Sequence, residues 1–250
     1  MEETAMVPIQ PYSFQYDGRL LERVFDTYRT TKVEGRGTLS VLFEVDQVAV
    51  GSKISTQKIS DNTLKIRYMM YFEEFGDIRK LQRDLKQFLY KEKDVPIVFQ
   101  DDPGIYYFGR LSKFDEEDIT ISSGCFEGSY EIYCQDPLKY SKTKQSGSQI
   151  TIKSPVETTP EKIEVQIVRG SSIQIKNKMT GKIIKITGGS IYSGNTLVFD
   201  FDQGILLVNG VDKTAIIDLD SDFENFYIHR GDVLECNNGV MVVQCREVYI

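Results

Sequence analysis

The sequence predicts a mainly β protein of two domains, and three observations carry that prediction. Apolar residues recur with period two through most of the chain, the mark of half-buried strands. In the second half, turn residues separate short apolar runs at regular spacing. Between the halves, the alternating run Tyr130–Cys134 meets Asp136-Pro137, where the residue before proline leaves helical space and ladder pairing stops. A polar stretch, SKTKQSGSQ, follows Tyr140, and Pro155 and Pro160 come next among threonines. The boundaries read as a first domain over 1–140, a linker over 141–160 and a second domain over 161–250.

In the first domain, Leu64, Ile66, Tyr68, Met70 and Phe72 share one face of a strand. The alternation breaks from Asp77 to Tyr90. Ile78, Leu81, Leu85, Phe88 and Leu89 recur there at helical spacing, opposite Arg79, Lys80, Arg83 and Lys86. Gly76-Asp77 suits the helix N-terminus, and Lys91 and Lys93 suit its C-terminal end. Val95–Phe99 and Ile105–Leu111 flank Asp101-Asp102-Pro103-Gly104, where proline then glycine predicts a type II turn in a hairpin. Asp115–Asp118 reads as a charged turn between strands, with Ile119–Ile121 and Ser129–Cys134 following.

The second domain shows no helical stretch. Ile163, Val165 and Ile167 alternate, as do Ile173 with Ile175, and Leu197 with Phe199 and Phe201. Asn209-Gly210 and Asn238-Gly239, each between apolar runs, are hairpin signals. Short strands with such turns predict a sandwich or jelly roll, closed by a C-terminal strand over Val240–Tyr249.

A chain of 250 residues can bury one large core or two ordinary ones. Its net charge of −7 is uneven: 24 acids against 18 bases in residues 1–140, and 13 against 12 in residues 141–250. An acidic first half argues against a nucleic-acid grip, which needs a basic surface. The opening MEETAMVPIQ lacks the basic start and apolar core of a signal peptide, and no apolar run approaches the ~20 residues of a membrane span. Synthesis in the cytoplasm without a membrane anchor is expected. Cys125, Cys134, Cys236 and Cys245 show no Cys-x-x-Cys pair and read as buried reduced thiols. A Cys125–Cys134 contact across a hairpin is the lesser alternative.

No catalytic constellation emerges, and no cofactor or metal is expected. His229 is the sole histidine, and it precedes a turn. Asp218, Asp220 and Asp222 resemble the start of a calcium loop. The sixth position, however, is Phe223 and the twelfth is His229, so a solvated turn is the better reading. Asp101/Asp102 and Glu116/Glu117 sit among charges, without the apolar neighbours that would raise a pKa. Arg230-Gly231-Asp232 spells an adhesion tripeptide but reads as a turn between strands. Saccharide binding would need aromatic platforms. Tryptophan is absent, which leaves Tyr192 and Tyr227 as the candidates.

The order of motifs resembles the distal tail protein family of long, non-contractile-tailed bacteriophages, especially those of Gram-positive hosts. The matching pieces are FQYDGR (Phe14–Arg19), VEGRG (Val33–Gly37), FGDIRKLQRDLKQFL, DVPIVFQDDPGIYYFGRLS (Asp94–Ser112) and YEIYCQDPLKYS. TGKIIKITG, NTLVFDFDQGILLVNG and DLDSDFENFYIHRGDVLE follow in order, so the resemblance spans nearly the whole chain. It implies an N-terminal β-sandwich with one helix and a projecting hairpin, and a C-terminal galectin-like sandwich. It further implies a non-enzymatic virion protein, synthesised in the bacterial host and resident at the tail tip. Six copies of the first domain would form a ring that joins the major tail tube protein to the tail-tip protein. In some phages the ring also mounts a receptor-binding protein. DNA would pass through the lumen without specific binding. Short turns in the second half leave little room for the long docking arm of some relatives. The alternative is an adsorption module whose second domain binds cell-wall saccharide.

Overall fold

The computed structural model describes residues 12–122, 124–147 and 154–250, with the side chains of 116–120 and 143–147 outside that description. The N-terminal segment read for a signal peptide and residues 148–153 of the expected linker thus lie outside it. The chain divides into two compact units, Met1–Lys139 with Ile250, and Tyr140–Tyr249. Each has its own hydrophobic core. The protein is mainly β, as the alternation predicts. Among the described residues, no helix is long and apolar enough to cross a membrane.

The first unit contains β1 (Phe14–Tyr16), β2 (Arg19–Leu20), α1 (Leu21–Val24), β3 (Tyr28–Glu34), β4 (Val41–Gln47), β5 (Ser52–Ile59), β6 (Asn62–Tyr71), α2 (Asp77–Leu89), β7 (Val95–Phe99), β8 (Ile105–Ser122) and β9 (Cys125–Cys134). Apart from β4 and β5, the strands pair in the antiparallel order β3-β6-β9-β8-β7-β1-β2. Within the first unit β8 serves two partners, β7 and β9. Gly109 pairs with Val95 of β7, and the next residue, Arg110, pairs with Tyr133 of β9. A Cβ at Gly109 would stand 2.7 Å from the Tyr133 carbonyl oxygen, so only glycine fits where β8 changes partner.

The alternating face of β6 is buried as expected, with Leu64, Ile66, Tyr68 and Met70 fully inside and Phe72 packed at the margin. Helix α2 covers this core with Ile78, Leu85 and Leu89. Tyr16 donates its hydroxyl to the Leu89 carbonyl at 3.0 Å, which fastens β1 to the helix end. Burial pushes the Tyr16 phenol up to about 12. Tyr28 stacks on Tyr68 at 5.6 Å, Phe114 stacks on Tyr130 at 6.0 Å, and the Tyr28 and Tyr130 hydroxyls meet at 2.9 Å. Burial raises both of those phenols, so the pair stays neutral and shares a proton donor within the core.

The second unit contains β10 (Lys139–Gly147), β11 (Lys162–Ile167), β12 (Ile173–Asn177), β13 (Ile183–Ile186), β14 (Thr196–Asp200), β15 (Ile205–Val208), β16 (Val211–Asp212), β17 (Leu234–Cys236) and β18 (Gly239–Tyr249). One sheet runs β16-β15-β14-β11-β18-β10 and the other β13-β12-β17. Ile163, Val165, Leu197, Phe199 and Val243 of the first sheet share a core with Ile173, Ile175, Ile184 and Ile186 of the second. The C-terminal strand pairs with β11 from Gly239 to Gln244.

Several local readings change. The stretch expected as linker begins as a strand, β10. Asp115–Asp118 makes no turn; β8 runs on to Ser122 and absorbs the acids in a register shift between Asp115 and Thr120. The β7–β8 turn closes with Ile105 N–H donating to the Asp102 carbonyl, but Gly104 keeps an ordinary φ. It is therefore not type II. Proline at the second position suits both turn types, and glycine only permits the positive φ without requiring it. Asn209-Gly210 does make the β15–β16 hairpin, both residues at positive φ. Asn238-Gly239 instead carries the chain from β17 in one sheet to β18 in the other. The Asn238 side chain donates to the Ser172 carbonyl, and its own carbonyl accepts from Val168 and Arg169. The four-residue helix α1 is too short for apolar periodicity to reveal. All four cysteines are free thiols. Cys125 and Cys134 lie at opposite ends of β9, so they do not face each other across a hairpin.

A side chain at Gly128 would collide with the tyrosine cluster, since its Cβ would stand 2.7 Å from the Tyr68 hydroxyl. Gly128→Ala should therefore destabilise the first unit by roughly 1–3 kcal/mol, the usual cost of overpacking. Urea denaturation followed by tyrosine fluorescence measures it. A change below about 0.5 kcal/mol would show that the cluster yields.

Candidate assembly interface

Among the described strands, β4 and β5 pair only with each other, as a hairpin. Its register places Val41 opposite Ile59, Phe43 opposite Gln57 and Val45 opposite Ile54 on one face. The other face carries Leu42 opposite Lys58, Glu44 opposite Thr56 and Asp46 opposite Lys53. Ser55 is the extra residue of a bulge between these pairs, and its hydroxyl donates to the Glu44 carbonyl at 3.0 Å. One face is thus apolar and one polar, the pattern of a strand pair that covers a core. Among the described residues, no core lies beneath it. Phe43 is 52% exposed, Ile54 55% and Val50, in the connecting turn, 92%. A two-stranded hairpin is marginal in water, and clustered exposed apolar side chains mark a surface that something else covers.

The root of this arm is built rigidly. Gly35 has φ +95, and a Cβ there would lie 2.3 Å from the Thr63 carbonyl oxygen, so backbone touches backbone and no side chain fits. Asn62 donates its amide to the Gly35 carbonyl at 2.8 Å, and Ser60 N–H donates to the Ser40 carbonyl at 2.9 Å. Arg36 lies over the Phe99 ring at 4.1 Å and pairs with Asp101 at 2.7 Å. The VEGRG and DDPG segments therefore meet, one holding the exit of the arm and the other anchoring it. In FQYDGR, Asp17 and Gly18 both take positive φ and make the β1–β2 turn. In YCQDPLKYS, the Asp136 carboxylate accepts from Leu138 N–H at 3.0 Å and closes the local turn before β10.

The residues singled out for chemistry do not converge. The loop of Tyr192 bonds the end of β11, through Gly194 N–H to Ile167 and Ser193 hydroxyl to Val168. Tyr227 lies at the far end of β12, its carbonyl accepting from Asn177 and its ring under Lys182 at 4.7 Å. They form no common platform. His229 is half-buried, 3.5 Å from Glu157. Asp232 is engaged internally: its carboxylate accepts from the buried Asn177 amide at 2.6 Å and from His229 N–H at 2.8 Å. The Arg-Gly-Asp sequence is thereby a turn with its aspartate turned inward. Asp101 is bound to Arg36, and the side chains of Glu116 and Glu117 lie outside the described residues. Asp218 and Asp222 lie in a part-exposed turn, as expected, and also accept backbone N–H groups at the two ends of β13, from Thr187 and Ile183. Among the described residues, no group of three acidic, histidine or cysteine side chains is arranged to hold a metal. The family resemblance implies a projecting hairpin, but the residues of β4 and β5 do not single themselves out, because their alternation is that of any half-buried strand.

Among the described residues, nothing covers the apolar face of the arm. The comparisons with known proteins show what the chain is similar to. Residues 154–248 match the family of siphovirus-type tail components, C-terminal domain. The chain is 26% identical over 230 residues to the distal tail protein of Bacillus phage SPP1, covering 85% of this chain and 86% of that protein. The crystal structure of the SPP1 protein, described as a paradigm of the hub adsorption apparatus in phages infecting Gram-positive bacteria, superposes with a TM-score of 0.75. That match has 21% identity and covers 95% of this chain and 99% of that one. A chain of the phage P2 baseplate in its activated, calcium-bound conformation matches in fold with a TM-score of 0.52 and 11% identity, over 88% and 90% of the two chains. This chain is a relative of the distal tail proteins of siphovirus-type phages.

Backbone amides of β4 and β5 should exchange with deuterium faster than those of β6 and β9 in dilute protein, because nothing covers the arm. Hydrogen exchange with mass readout tests this. Equal protection in arm and core would mean that the hairpin is covered even in the free chain.

Proposed function

We propose that this chain is a structural virion protein, six copies of which form a ring hub at the distal end of a phage tail. The hub links the tail tube to the tail-tip and adsorption apparatus and leaves a lumen for DNA. The observation that carries the reading is the unpartnered apolar face of the β4–β5 arm. An arm on one copy that packs on a different surface of the next is a heterologous contact, and such contacts close into rings. The relationship to the SPP1 distal tail protein supports the place in the virion. The partners would be the tail tube protein, the tail-tip protein and, in some phages, a receptor-binding protein. The excess of acids in residues 1–140 suits a conduit that lets DNA slide without gripping it. The second unit, as a galectin-like sandwich, would decorate the ring. The saccharide-binding alternative draws no support from Tyr192, whose loop bonds the end of β11, or from Tyr227, beside the end of β12.

Light scattering over a concentration series, with negative-stain images, should show a six-fold mass and annular particles. Phe43→Ser/Val45→Ser/Ile54→Ser should leave a monomer whose stability changes by no more than about 0.5 kcal/mol per site, since these side chains are exposed in the single chain. A wild-type chain that stays monomeric throughout, or an unaltered ring in the triple variant, would refute the arm-built hub.

A further inference from the structure

The outer edge of β13 is closed by side chains instead of by a strand. Residues 183, 185 and 187 turn their backbone groups away from β12. Ile183 N–H donates to the Asp222 carboxylate at 2.9 Å, Lys185 N–H to the Ser221 hydroxyl at 3.0 Å, and Thr187 N–H to the Asp218 carboxylate at 3.1 Å. The carbonyls are taken as well: Asp222 N–H donates to Ile183 at 2.7 Å and Asp218 N–H to Lys185 at 3.1 Å. Ser221 returns its hydroxyl to the Lys185 carbonyl, and Thr187 adds its own hydroxyl to Asp218 at 2.7 Å. The segment is pinned after its last aspartate by the buried Phe223, while Leu219 is fully exposed at its crest. β17, at the opposite edge of the same three-stranded sheet, has three residues, and β16, at an edge of the larger sheet, has two; both are too short to template a partner. β13 is the longer edge of its sheet, and it is the one that is covered.

We propose that residues 218–222 are a strap that masks the β13 edge and keeps second units of different copies from pairing edge to edge. A ring of such chains would bring several second units into one small volume, where an open, four-residue edge invites pairing with its twin. The strap satisfies every outward N–H of residues 183, 185 and 187. It also carries three aspartates, whose charges discourage a second copy from approaching. The crowding argument rests on the hub reading, whereas the capping of the edge does not.

The test is made in the full chain carrying the three arm substitutions, so that arm-driven assembly does not obscure the result. Asp218→Ala/Ser221→Ala/Asp222→Ala should lower deuterium-exchange protection roughly tenfold or more at residues 183, 185 and 187. It should also make the mass by light scattering rise with concentration. Lys185→Pro added to this variant removes an outward N–H and blocks strand addition, and it should return the mass to that of the parent. If the triple substitution prevents folding, Ser221→Ala alone deletes a single cap and should give the same concentration dependence on a smaller scale. Deprotected amides with an unchanged mass would overturn the proposal. Growth that persists in the presence of Lys185→Pro would overturn it equally, since association would then run through another surface.

Discussion

A strand edge carries backbone donors and acceptors that must bond to something, and most distinctive features of this chain follow from that requirement. In the first unit, β8 meets it by pairing with β7 along its first residues and with β9 beyond them, pivoting at Gly109. In the second, the edge of β13 is met by the carboxylates and hydroxyl of residues 218–222. The arm meets it least completely. β4 and β5 satisfy each other along their inner sides, and their apolar face is left largely uncovered among the described residues.

The arm can act as a connector because its base is fixed. Contact of the Gly35 backbone with Thr63, the Arg36–Asp101 ion pair and the Arg36 guanidinium on Phe99 tie the exit of the hairpin to β6 and β7. Those strands belong to a core whose tyrosines are locked by stacking and by the Tyr28–Tyr130 hydroxyl contact. An extended element held at a set angle to a stiff body loses little further freedom when it docks, and that is what favours repeated, identical contacts.

Much of this was legible in the residues. The period of α2, the alternation of β6 and the Asp-Pro stop each express local stereochemistry, and the structure keeps them where the sequence places them. The misreadings share a cause. Asn209-Gly210 and Asn238-Gly239 are the same dipeptide, but one closes a hairpin and the other passes between sheets, because the strands that follow find different partners. Four acids at 115–118 look like a turn and are taken up within a strand, because β9 holds the ladder on both sides of them. Asp218 and Asp222 read as turn acids and do lie in a turn, but only the nearness of β13 makes them backbone acceptors as well.

By itself the sequence determined what depends on neighbours along the chain: strand faces through period two, the helix through its apolar stripe, the break after Cys134 through proline stereochemistry, and the kinship through motif order. The tertiary structure alone decided which apolar alternations are covered and which are not. Leu64, Ile66 and Tyr68 on β6 and Val41, Phe43 and Val45 on β4 carry the same pattern, yet the first set is buried and the second is left largely open. Periodicity records that a face is apolar. Whether another layer lies against it is set by contacts between segments far apart in the chain, and those exist only once the chain has folded.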